Sequence, residues 1–108
     1  MLQQKGKPVI IGGGTIQFNP VDREATIEAI LTMMEASQAE EGCIAYELSA
    51  DFVETDILHV FEAWASPEAL DAHRKSAHMA VFDQEVATSF VKYNIKIFVG
   101  ELANLADL

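Results

Sequence analysis

The stretch FEAWASPEALDAHRKSAHMAVF, residues 61–82, decides how this chain is read. Its first residues continue a strand that begins at Ile57. Strand parity over residues 57–65 puts Leu58, Val60, Glu62 and Trp64 on one face, and Ile57, His59, Phe61 and Ala63 on the other. Ser66-Pro67-Glu68 then starts a helix: a hydroxyl for the N-cap, proline at the first helical position, and an acid in the first turn. Leu70 and His73, three apart, share a face of that helix. Arg74-Lys75-Ser76 reads as a break, with Ser76 able to cap a second helix whose apolar stripe is Met79, Phe82 and Val86.

The flanking segments extend this strand–helix unit. Residues 8–18, PVIIGGGTIQF, read as a first strand. Its triple glycine, Gly12-Gly13-Gly14, lacks the helix and lysine of a phosphate loop, because Thr15-Ile16-Gln17-Phe18 continue the strand. A bulge or a close backbone approach is expected there. Asn19-Pro20 breaks the strand, and Asp22 can cap a helix over residues 23–40 with the stripe Ile27, Ile30, Leu31 and Met34. Gly42 is placed to end it. Residues 43–50 alternate, with Ile44, Tyr46 and Leu48 on one face. Residues 90–99 form a last strand with Val91, Tyr93, Ile95, Ile97 and Val99 on one face. Residues 1–7, MLQQKGK, are polar and expected to be loose.

The order is β-α-β-β-α-β, the ferredoxin-like α+β plan, with helices on one face of an antiparallel sheet. The 108 residues make a single domain, 1–108, with a core over about 8–101. Apolar residues on both faces of residues 57–65 imply that both sides of the sheet are covered, the second by another copy of the chain. A homodimer is therefore expected.

Composition narrows the function. The formal net charge is −10, from seven Lys and Arg against seventeen Asp and Glu. Such a field repels nucleic-acid phosphates and anionic lipid, so neither nucleic acid nor membrane is expected as a partner. The single cysteine, Cys43, excludes an internal disulfide and a cysteine-based zinc site. No apolar run has the length of a membrane span or the form of a signal sequence, and the cytoplasm is the expected location.

EEGCIAYEL followed by FEAWASPEALDAHRKSAHMAVF resembles the antibiotic biosynthesis monooxygenase family of small dimeric proteins. Glu41-Gly42-Cys43, Tyr46-Glu47, Glu62, Trp64, Ser66, Glu68, Ala69, His73, Ser76 and His78 carry the resemblance, which spans about residues 8–101. It implies a dimeric α/β barrel. The aromatic-polyketide branch has Asn and Tyr where this chain has Val60 and Leu70. The haem-degrading branch has Trp at His73 and a ligating His at Asp83. The chain is most similar to a third branch, which contains quinol monooxygenases and an isomerase of a phosphorylated sugar-like dione. That likeness implies a cofactor-independent monooxygenase acting with O2 on a small aromatic or quinol-type substrate. The alternatives are an isomerase of a small carbonyl compound and a non-catalytic dimer that binds a hydrophobic ligand.

The candidate catalytic residues are His73, His78 and Glu62, with His73 as general base and the others as helpers. Trp64, Leu70, Val60 and Phe82 are the candidate substrate-binding residues, with Trp64 as a pocket wall. No metal is expected. On an uninterrupted helix a spacing of five sets His73 and His78 about 140° apart, and no third ligand is evident from the sequence.

Overall fold

The computed structural model describes residues 8–108; the segment 1–7, expected to be loose, lies outside the described residues. Four strands, β1 (Val9–Phe18), β2 (Cys43–Ala50), β3 (Ile57–Trp64) and β4 (Phe90–Gly100), form one antiparallel sheet in the order β2-β3-β1-β4. Helices α1 (Arg23–Gln38), α2 (Pro67–Arg74) and α3 (Ala77–Val86) complete a ferredoxin-like α+β fold. The second helical segment of the plan is split in two. Ser76 Oγ donates to the carbonyl of His73 at 2.7 Å and accepts from the N–H of Met79 at 3.2 Å. One hydroxyl thereby closes α2 and opens α3. Ser66 plays the opening role for α2, accepting from Ala69 N–H at 3.1 Å.

The core lies between the sheet and the helices. Ile10, Ile16 and Phe18 of β1 and Leu58, Val60 and Trp64 of β3 meet Ile30 and Met33 of α1, Leu70 of α2, and Phe82 and Val86 of α3. Each large apolar side chain buried this way contributes about 1.5–3 kcal/mol. Among the described residues no helix is long and apolar enough to cross a membrane.

Gly12-Gly13-Gly14 sit inside β1, as the strand reading requires, and two of them have a steric reason. A Cβ on Gly12 would meet Glu62 Cγ at 2.8 Å on the neighbouring strand. Gly14 has φ +154°, and a Cβ there would run into the carbonyl oxygen of Asn94. Both are close backbone approaches of the kind glycine permits.

Four local expectations are corrected. Helix α1 buries Thr26, Ala29, Ile30, Met33 and Ser37, whereas Ile27 and Leu31 are exposed. Of the expected stripe, Ile30 is buried and Met34 packs against the core, while Thr26, Ala29, Met33 and Ser37 take the places expected of Ile27 and Leu31. Asp22 occupies the N-cap position of α1 without a side-chain capping bond. In β2 a register irregularity between Cys43 and Ala45 leaves Ile44 exposed, and Cys43 packs against the core instead. In β4 the register shifts opposite Gln17/Phe18, so Phe90 pairs with Phe18 and Val91 is left exposed.

Candidate functional site

A cavity of about 370 Å3 opens between the helix-covered face of the sheet and helices α2 and α3. Val60, Leu70 and Phe82 line it, with Ile16, Leu48 and Phe90. The polar groups reaching it are Glu62, His73, Asp83, Tyr46, Tyr93 and the exposed Arg74. Gly12 contributes by absence: a side chain there would occupy the space of the Glu62 stem.

His73 is 3 % exposed and forms one wall. Its ring lies over Trp64, with centroids 4.5 Å apart, and 5.2 Å from the ring of Tyr46. His73 Nδ1 donates to Glu40 Oε2 at 2.6 Å. A carboxylate on Nδ1 fixes the proton there and leaves Nε2 as the free lone pair. Nε2 has no hydrogen-bond partner among the described residues, and His73 lines the cavity. An imidazole held in this way by a carboxylate can serve as a general base.

Glu40 is the site residue that the sequence reading missed. It sits in the turn after α1, where its N–H donates to Ser37 O at 3.0 Å and its carbonyl accepts from Cys43 N–H at 3.1 Å. Gly42, at φ +84°, lets the turn pass close to α2; a Cβ there would meet Ala69 Cβ at 2.6 Å. The available signal was Glu40-Glu41 placed where the helix dipole is least favourable to acids. That unfavourable position is offset by two imidazoles.

The second is His78. Its Nε2 lies 2.8 Å from Glu40 Oε2, and the His73 and His78 ring centroids are 6.1 Å apart. The 140° separation of an uninterrupted helix does not apply, because the expected break at Ser76 redirects the chain and brings the two rings together. The expectation that no third donor converges is overturned by Glu40. His78 is not in the cavity wall.

Trp64 is also corrected. It is fully buried and is not in the cavity wall; it backs His73 and donates its Nε1–H to Glu62 Oε1 at 2.7 Å. A partly buried carboxylate needs such a donor. Glu62 is therefore oriented by the indole while reaching the cavity. Burial, with the carboxylates Glu62 and Glu40 second and third, pushes the Tyr46 phenol far above its usual range, so it stays a neutral donor. Burial and then Asp83 raise Tyr93 as well. His59, on the opposite sheet face, pairs with Asp51 at 2.7 Å, away from the cavity.

The fold is thus a ferredoxin-like α+β sheet with a largely apolar cavity and a carboxylate-held imidazole in its wall. The chain belongs to the antibiotic biosynthesis monooxygenase family, whose model matches residues 10–85. No protein among curated sequences matches it. Among solved structures, it is similar to a Bacteroides thetaiotaomicron protein of unknown function described as a possible oxidoreductase. That pair shares 28% identity and a TM-score of 0.72, over 90% of this chain and 99% of that one. It is similar to a Pseudomonas aeruginosa protein at 26% identity and TM-score 0.73, covering 93% and 99% of the two chains. A Nitrosomonas europaea protein, named as a candidate antibiotic biosynthesis monooxygenase, shares the fold at 20% identity and TM-score 0.76, covering 94% and 96%.

Proposed function

We propose that the chain is a cofactor-independent monooxygenase that oxidises a small quinol or phenolic compound with O2. The observation that carries this reading is His73, held by Glu40 on Nδ1 and lining a largely apolar cavity. Nε2 takes a hydroxyl proton from the substrate, and Glu40 stabilises the imidazolium that forms. The substrate anion gives one electron to O2, and the two radicals join in a C–O bond. The O–O bond of this peroxide breaks as His73 returns its proton to the departing oxygen; the ring C–H proton at the oxygenated carbon completes the water. A quinol and O2 thus become a hydroxyquinone and water. The apolar walls exclude bulk water from the anion, and Glu62 and Tyr46 offer polar contacts. His78 assists through Glu40.

The same reading includes a homodimer joined through the sheet face away from the helices. Ile11 pairs with Ala63 and Phe98 there, and Gly13 pairs with Phe61. Phe61 is 48% and Phe98 57% exposed in the single chain. Apolar surface of this kind calls for a cover.

Oxygen uptake with a panel of quinols is the test. Turnover without added flavin, haem or metal supports the proposal. Substrate conversion without oxygen uptake would make the chain an isomerase. Ligand-induced melting shifts with no turnover would make it a binding protein.

A further inference from the structure

We propose that Glu40, His73 and His78 form a site for a zinc-like divalent transition-metal ion that switches His73 off. Three separate elements bring the donors together: the turn after α1, helix α2 and helix α3. Glu40 Oε2, His73 Nδ1 and His78 Nε2 all lie within 4.8 Å of one another. Two imidazoles and one carboxylate suit zinc and the later first-row metals, whereas magnesium and calcium prefer oxygen donors alone. The side chains grade outward: His73 is 4%, Glu40 15% and His78 29% exposed. An ion can therefore enter past His78 and keep a position open to water.

In the structure, the Glu40 oxygen sits between the two imidazoles at 2.6 and 2.8 Å. Donors on one tetrahedral zinc stand roughly 3.3–3.5 Å apart, given bonds of about 2.0–2.2 Å. A retreat of the Glu40 side chain by about 1 Å, with the two imidazoles closing to that spacing, makes that room. The metal takes the lone pair of His73 Nδ1, and the ring proton moves to Nε2. No bond is made or broken other than those to the proton and the metal. Nε2 then has no lone pair to accept a substrate proton. The ion is an inhibitor in competition with the Glu40–His73 hydrogen bond and is no cofactor of the reaction. The site itself stands on the geometry; only its effect on turnover rests on the proposed function of His73.

The test uses the chelator-treated full chain titrated with zinc chloride by calorimetry, with magnesium chloride as the control. One zinc per chain and no magnesium uptake is the expected result, with melting temperature rising as zinc rises. His78→Ala and Glu40→Gln should each weaken zinc binding by about tenfold or more. Ring 15N spectra of His73 should show its proton moving from Nδ1 to Nε2 with no substrate present. Absence of zinc binding overturns the site, as does equal affinity in both variants, which would point to surface carboxylates. Cobalt chloride gives a wild-type check if a variant misfolds: a four-coordinate visible spectrum supports the site, and a six-coordinate aquo-like one overturns it. Zinc bound with the His73 ring spectrum unchanged overturns the switch. Where a quinol is turned over, zinc should inhibit in step with occupancy. A chain that turns over no quinol loses the proposed function, while calorimetry and ring spectra still decide the metal site.

Discussion

Nδ1 of His73 and Oε2 of Glu40 lie 2.6 Å apart, although 33 residues separate them in the chain. This contact turns a buried histidine into an oriented one. A histidine that only filled space would satisfy itself with a nearby carbonyl and show no preferred nitrogen to the cavity.

Loss of the base is the first expected effect. His73→Asn should lower quinol turnover by about 10²–10⁴. Melting temperature and dimer mass should stay close to wild type. A folded His73→Asn protein with full oxygen uptake would move the base to Glu62 or to the substrate.

Glu40→Gln should also depress turnover, by about tenfold to 10³-fold, because an amide neither fixes the Nδ1–H tautomer nor stabilises the imidazolium. The loss should appear in kcat more than in KM, since Glu40 is not in the cavity wall. An unchanged kcat would reduce Glu40 to a structural partner.

The glycines of β1 should differ in cost. Gly12→Ala meets the Glu62 side chain, which can shift, and is expected to cost about 1–3 kcal/mol. Gly14→Ala meets Asn94 backbone at an unfavourable φ and should cost about 3 kcal/mol or more. Urea unfolding of the two variants gives the order directly. Equal stability of both would remove the steric account of the triplet.

Acid should loosen the β2–β3 turn. Asp51 Oδ2 accepts from the N–H groups of Glu54 and Val53, and Oδ1 pairs with His59. The backbone bond from Glu54, then His59 and Val53, lower its pKa from 3.8 to about 2. A carboxyl depressed on folding stabilises above its unfolded value and loses that contribution as pH falls through the folded one. Amide protection at Val53 and Glu54 should therefore decline from about pH 4 toward pH 2 in the wild type. Asp51→Ala should show little protection across that range. A pH-independent wild type would remove this role.

Light scattering should give twice the chain mass of 11.9 kDa. Phe61→Asp, on the uncovered sheet face, should return a folded monomer, because burying an unpaired carboxylate in an apolar interface is costly. A wild-type monomer at micromolar concentration would remove the proposed interface.

Element order, the strand parity of β3 and the two serine-capped helix starts were legible in residues 57–86, because these depend on local chemistry: alternation, capping hydroxyls and a proline at the first helical position. Leu70 and His73 on one buried face followed from helical spacing alone. The strand reading of Gly12-Gly13-Gly14 also followed from the residues after them. Tertiary structure decided what needs contacts far apart in sequence. Glu40 reaches His73 only because Gly42 lets the turn after α1 pack against Ala69. Trp64 became the layer behind His73 because helix α2 lays the imidazole over the indole. The irregularities at Ile44 and Val91 moved single residues off their expected faces, since one extra residue in a ladder inverts the parity beyond it. Periodicity specifies which face a residue takes within its own element; packing alone determines which element that face meets.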